Sequence, residues 1–217
     1  MTRDNFDKAL RILRTEYPKW DAPAKKTAYG YRRTPYTVTV SVTLSFRTKD
    51  EVTQAAGERL FALADTPEKM VTLPQETIEK AIYPVGFYRK KARTILDISH
   101  YLLKHFDGKV PDTEKELLKI RGIGPKAAAI ILERAFGKDA VAVDVHVHRI
   151  LNRWGFLQTR TPKESYEALK TLLVSQEKKG LNRLLVSFGQ VICKPLKPQC
   201  DNCPIKDLCD TGRSLQP

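Results

Sequence analysis

The sequence contains no apolar run approaching the roughly 20 residues that a membrane-spanning helix needs. Its opening stretch, MTRDNFDKALRILRTEYPKW, lacks the continuous apolar core of a signal peptide, so an intracellular chain is expected. Internal repeats and low-complexity tracts are missing, which excludes solenoids and biased, unfolded segments. Cysteine is absent before Cys193, and all four cysteines fall in the last 25 residues. A disulfide framework would spread them along the chain; clustering in an intracellular protein suits metal ligation. Acidic residues are also scarce relative to basic ones. Lys and Arg number 38 against 25 Asp and Glu, a formal charge of +13. A polyanionic partner follows, and nucleic acid fits better than a membrane because no basic amphipathic anchor stands out.

What is present reads as a folded globular chain, 41% hydrophobic and 29% charged, with room in 217 residues for one ample domain or two small ones. A helix is expected from about residue 4 to 15, with Phe6, Leu10, Ile12 and Leu13 apolar, ending before Pro18. Residues 21–36 read as a basic, proline-containing linker. Short helices are expected over 55–64 and 75–83. A stripe of Ile95, Leu96, Ser99, Leu102, Leu103 and Phe106 predicts another, ending before Gly108. Further helices are expected over 114–120, 126–136, around Val147, Ile150, Leu151 and Trp154, and over about 163–175 and 180–190. One segment conflicts with this pattern. In TVTVSVTL, Val38, Val40, Val42 and Leu44 alternate strictly, which by periodicity means a strand, yet no good partner strand exists apart from VAVDVHV.

The stretch RGIGPKAAAIIL, 121–132, carries the most information. Two helices joined through Gly122 and Gly124 would make a tight hairpin. Its glycines would allow positive φ and close approach to a ligand. Pro125 suits the first helical position. The free N–H groups at that helix start would favour a DNA phosphate, although G-x-G by itself also fits a plain turn. Lys126 gives the motif its weight. An ammonium there faces the positive end of the helix dipole, an arrangement that disfavours the charged form and suits a nucleophilic amine. From Lys126 the helix would run roughly 15 Å to Gly137. The following KDAVAV can return about 20 Å in extended form. Asp144 is therefore expected near the start of the lysine's helix, and it also stands where the next helix would be capped.

With these residues in place, IRGIGPKAAAIILERAFGKDAVAVDVHVHRILNR resembles the helix–hairpin–helix and acidic loop of the endonuclease III family of DNA glycosylases. CKPLKPQCDNCPIKDLC matches that family's Cys-x6-Cys-x2-Cys-x5-Cys motif, and the likeness extends over nearly all of 36–212. The resemblance implies an all-α, two-lobed helix–hairpin–helix glycosylase fold with a C-terminal [4Fe–4S] loop. One lobe would be a six-helix barrel of about 28–138, and the other would combine 1–27 with 139–217. It also implies that TVTVSVTL is a buried helix.

By resemblance, Lys126 is the nucleophile at the sugar C1′ and forms a Schiff base that leads to β-elimination. Asp144 helps activate the amine and stabilises positive charge on the sugar. Relatives with Ser or Tyr at the lysine position lack efficient lyase chemistry, so a bifunctional enzyme is expected, acting on oxidised pyrimidines and abasic sites. Arg47 matches the position where relatives usually place a Gln plug. Phe87 matches an apolar wedge that is more often Leu, and a core aromatic is the other reading. Arg89, Lys90, Lys91 and Arg93 fit a phosphate track or a solvated helix face. Cys193, Cys200, Cys203 and Cys209 can ligate iron–sulfur or zinc. Only Cys200 and Cys203 form a short knuckle, and this favours the cluster. Lys194 and Lys197 in the intervening loop would lie near bound DNA backbone. His146 coincides with the family's V-D-x-H; His148 has no assigned counterpart, and His100 and His105 read as surface residues. The expected partner is double-stranded DNA with a damaged base or abasic site, bound without a membrane by a cytoplasmic monomer. Two other readings stand beside this one: a mismatch- or otherwise base-specific glycosylase of the same fold, and a non-catalytic damaged-DNA-binding module.

Overall fold

A computed structural model describes residues 1–26 and 34–214, and these residues contain helices and no strand. In chain order the helices are α1 (Arg3–Glu16), α2 (Pro23–Lys26), α3 (Pro35–Ser45), α4 (Asp50–Leu63), α5 (Pro67–Val71), α6 (Gln75–Ile82) and α7 (Tyr88–Phe106). They continue as α8 (Glu114–Leu117), α9 (Pro125–Phe136), α10 (Val145–Arg153), α11 (Pro162–Leu172), α12 (Ser175–Lys178), α13 (Leu181–Val191) and α14 (Asp210–Arg213). The chain divides into two compact units, Met1–Lys26 with Val141–Pro217 and Thr27–Ala140.

In the Thr27–Ala140 unit, α3 resolves the conflict over TVTVSVTL in favour of a helix. It starts at a capping box in which the Thr34 and Thr37 side chains each bond the other residue's backbone N–H, with Pro35 at the first helical position. Every residue from Tyr36 to Leu44 is buried, so no polar face exists and period-2 alternation loses its meaning. The threonines bury their hydroxyls on the helix itself, Thr39 donating to the Pro35 carbonyl at 2.8 Å and Thr43 to Thr39 at 3.0 Å. Each β-branched residue costs the helix up to about 0.7 kcal/mol of propensity. A fully buried Val or Leu returns roughly 1.5–3 kcal/mol. Packing against α4, α7 and α9 therefore wins.

α9 is likewise buried over six consecutive residues, Ala127 to Leu132. It stops at Gly137, whose φ of +64° lets Lys138 N–H reach back to the Leu132 carbonyl at 3.0 Å.

In the other unit the core gathers around Trp154. Phe6 of α1 and Phe188 of α13 meet its ring edge-on, each at 6.2 Å, and Phe6 stacks on Phe156 at 3.9 Å. Such pairs add about 0.5–1.5 kcal/mol each beyond their buried area. His148 belongs to a structural network here: its Nδ1 lies 2.7 Å from Ser165 Oγ, which lies 2.6 Å from Thr159 Oγ1.

Several expected boundaries move. The 163–175 helix ends at Leu172 as α11, 114–120 shortens to α8, and the 55–64 helix begins at Asp50. The expected linker 21–36 contains α2 and the start of α3, while its residues 27–33 lie outside the described residues. His100 and His105 are exposed, as expected.

Candidate functional site

The hairpin is anchored by Ile123, buried in the turn, with Ile120 and Leu117 beneath it. Gly122 has φ +95°, and a Cβ there would stand 2.6 Å from Thr94 Cγ2, so both conformation and space demand glycine. Gly124 departs from the expectation of positive φ. At −96° its backbone is one that any residue adopts, and a Cβ would meet nothing within 4 Å. Pro125 and Lys126 then form the first two residues of α9. Lys126 is half-buried, with Nζ 5.6 Å from the centre of the Phe46 ring, so an aromatic face holds the amine in place.

Phe46 leads directly to Arg47 and Phe87, the expected plug and wedge. Both are exposed, Phe87 by 60%, which removes its reading as a core aromatic. Both also have left-handed backbone, φ +53° and +59°, which costs a non-glycine residue on the order of 1 kcal/mol or more. The Arg47 guanidinium lies 5.6 Å from the centre of the Phe87 ring. The two loops approach so closely that a Cβ on Gly86 would sit 2.6 Å from the Arg47 carbonyl oxygen.

Lys91 requires a correction. Arg89, Lys90 and Arg93 are exposed and remain available to a phosphate track, but Lys91 is only 8% exposed. Its Nζ donates to the Leu44 and Phe46 carbonyls at 2.8 and 2.6 Å and to Thr48 Oγ1 at 3.0 Å. It satisfies the carbonyls at the C-terminal end of α3 instead of facing solvent. Burial pushes its pKa down to about 8. The basic run RKKAR hides this inward lysine among outward ones; its fourth-residue spacing to Ile95, at the head of the buried stripe of α7, was the available signal.

In the other unit Asp144 caps α10. Its Oδ1 accepts the His146 and Val147 N–H groups at 2.9 and 3.0 Å. His146 packs on α13, where a Cβ on Gly189 would sit 2.6 Å from its Nδ1. Arg149 Nη2 lies 3.2 Å from the same Nδ1 and donates to the Cys193 carbonyl at 2.9 Å. Arg153, one turn further on, donates to the Lys194 and Pro195 carbonyls and lies 3.5 Å from Cys193 Sγ. Sequence reasoning overlooked both arginines. Their i, i+4 spacing on the helix after Asp144 was the only sign that they share a target.

Cys193, Cys200, Cys203 and Cys209 line a single cavity with Arg153, Trp154 and Phe188. Burial and the neighbouring sulfurs push the Cys203 thiol up to about 11, and burial first of all raises Cys209 too. Bare thiolates at Cys203 and Cys209 are therefore disfavoured, and a bound cationic group would reverse that. Among the described residues, no three His, Cys, Asp or Glu side chains converge on one metal-ion position. An all-sulfur set spread around a cavity fits a cluster better than a tetrahedral zinc ion. Lys194 is half-buried at the edge of this loop, whereas Lys197 is exposed with φ +52°.

A family model described as HhH-GPD superfamily base excision DNA repair protein matches residues 40–174, and the iron–sulfur binding domain of endonuclease III matches 193–209. Endonuclease III of Thermotoga maritima is 44% identical over 179 residues, covering 82% of this chain and 84% of its own. The chain belongs to the endonuclease III family. Endonuclease III-like protein 1 of Mus musculus is 36% identical over 222 residues, covering 97% of this chain and 74% of its own. A solved non-covalent endonuclease III–DNA complex superposes with a TM-score of 0.86 at 31% identity, covering 99% and 98% of the two chains. Family membership decides between the metals in favour of an iron–sulfur cluster held by the 193–209 segment.

Proposed function

We propose that this base-excision DNA glycosylase is bifunctional, with Lys126 as nucleophile and Asp144 as its acidic partner. The observation that carries the reading is a half-buried lysine at the second residue of α9, directly after a hairpin whose Gly124 leaves its flank open. A glycosylase must take its target base out of the duplex, at a cost of a few kcal/mol in unstacking. The amine of Lys126 then attacks C1′ with its lone pair, and the base departs with the electrons of the glycosidic bond. Ring opening leaves an imine between Nζ and C1′. Loss of a 2′ proton breaks the C3′–O bond, releasing the 3′ phosphate by β-elimination. The Asp144 carboxylate, fixed by its two backbone bonds, stabilises the positive charge that develops on the sugar.

Arg47 and Phe87 enter the space left by the base and its neighbour; their exposure on closely spaced loops supports this reading. Gly122 and Gly124 let the hairpin approach a DNA phosphate, and Lys194 and Lys197 add charge near bound DNA backbone. Oxidised pyrimidines are the proposed substrates. The cluster is of the [4Fe–4S] type, with Cys193, Cys200, Cys203 and Cys209 as ligands. When bound, it supplies iron–thiolate bonds that staple the 193–209 loop.

Borohydride trapping on abasic-site DNA tests the nucleophile. The wild type should form a covalent adduct, and Lys126→Ala should lose it while still binding DNA. An undiminished adduct in the variant would remove Lys126 from the role. A second reading, preference for particular mismatched bases, is favoured by the exposed guanidinium of Arg47. A panel of lesions against varied opposite bases separates the two.

A further inference from the structure

Lys91 is a buried cation that none of the chemistry above uses. It touches both duplex-facing loops at once. Its backbone N–H donates to the Phe87 carbonyl at 3.0 Å, and its ammonium grips the Leu44 and Phe46 carbonyls just before Arg47. Thr48 Oγ1 completes the link, accepting from Lys91 Nζ at 3.0 Å and from Gly86 N–H at 3.2 Å. Three oxygens thus meet the three donors of one ammonium. The residues so bracketed are Arg47 and Phe87, each in left-handed backbone. Such conformations persist only where the surroundings over-determine them.

We propose that Lys91 is a positioning residue that locks the Arg47 and Phe87 loops into one insertion element, so that plug and wedge enter the duplex together. The proposal rests on the reading of Arg47 and Phe87 as duplex-inserting residues. Lys91 is buried with its ammonium on three protein oxygens, so it is assigned no contact with DNA or the reacting sugar. Its effect is therefore confined to steps in which a helical hole must be filled. Duplex substrates need that step, whereas an abasic site in single-stranded DNA does not.

The test compares Lys91→Met and Lys91→Arg with Phe87→Ala in the cluster-containing full chain. Lesion excision from duplex is measured beside strand nicking at a single-stranded abasic site, and 2-aminopurine opposite the lesion reports insertion. Lys91→Met is expected to lower duplex excision at least ten-fold and to blunt the fluorescence change, with no more than a two-fold loss on single-stranded DNA. Lys91→Arg should recover part of the duplex loss. In the Phe87→Ala background Lys91→Met should add under two-fold, since the loop it positions has lost its wedge. Thr48→Val, which removes only the shared hydroxyl, should give a weaker form of the same split. If Phe87→Ala and Arg47→Ala leave duplex excision intact, the insertion reading fails and takes the proposal with it. If they impair it while Lys91→Met and Thr48→Val do not, insertion stands and the positioning role is overturned. Equal losses on duplex and single-stranded DNA in both Lys91→Met and Thr48→Val also overturn it, because that pattern marks a general structural role.

Discussion

The guanidinium of Arg47 lies 5.6 Å from the centre of the exposed Phe87 ring, although the two residues belong to loops at opposite ends of different helices. Base–aromatic stacking is worth about 1–3 kcal/mol per base. Phe87→Ala is therefore expected to lower excision from duplex DNA by roughly ten- to hundred-fold, while Phe87→Leu recovers most of it. Single-turnover excision assays would show this. Unchanged rates in Phe87→Ala would remove the residue from the duplex-facing set.

The two hairpin glycines should respond differently to a methyl group. Gly122→Ala forces positive φ on alanine and a 2.6 Å contact with Thr94, so a loss of about 2 kcal/mol is expected in urea unfolding. Gly124→Ala meets no atom within 4 Å and has ordinary φ, and its loss should be about 1 kcal/mol or less. Its DNA affinity should nevertheless fall if DNA backbone approaches there. Equal destabilisation by the two substitutions would contradict this account.

Asp144 caps α10, and this duty is separable from its proposed role as a charge. Asparagine caps a helix about as well as aspartate, whereas alanine costs about 1 kcal/mol. Asp144→Asn should keep its melting temperature and lose excision by at least a hundred-fold; Asp144→Ala should lose both. A fully active Asp144→Asn would show that the residue only caps α10.

Burial lowers the pKa of Lys91 to about 8, from an ordinary value of 10.5. Below pH 8 the group is protonated folded and unfolded, so its contribution is constant. Between about 8 and 10.5 the unfolded chain holds a proton that the folded chain has released, so stability rises with pH. Relative to Lys91→Met, the wild type should gain stability across that window, by at most about 1.4 kcal/mol per pH unit. Urea unfolding of both proteins at several pH values would reveal it, and a difference that stays flat or narrows would contradict the assigned cause.

Replacing Cys203 by Ser removes one sulfur from the cavity lined by all four cysteines. The purified protein should lose its brown colour, and proteolysis should begin within 193–209 before other segments are cut. Retained colour with unaltered proteolysis would exclude Cys203 from the ligand set.

The candidate site residues stood out in the sequence because the chemistry proposed for them imposes spacing. Four cysteines at fixed intervals, a lysine directly after G-x-G-P, and an aspartate at a helix start are local patterns, and local patterns survive in one dimension. α9 was also readable, since the run AAAIIL is apolar on every side and Gly137 ends it. TVTVSVTL misled by its period. Periodicity reports a boundary between core and solvent, and a helix buried on all faces has no such boundary.

Lys91 misled for the opposite reason. Its neighbours Arg89, Lys90 and Arg93 are solvent-facing, and only its fourth-residue spacing to buried Ile95 sets the inward cation apart from them. The sequence by itself determined the candidate site residues, the cysteine motif and most helix positions, because these depend on residues close in the chain. Only the tertiary structure decided that α3 is a helix enclosed by its neighbours, that Gly122 and not Gly124 requires its missing side chain, and that Lys91 holds two loops together. Each of those depends on atoms brought near by folding from distant parts of the sequence, and burial and hydrogen-bond satisfaction are properties of that assembly.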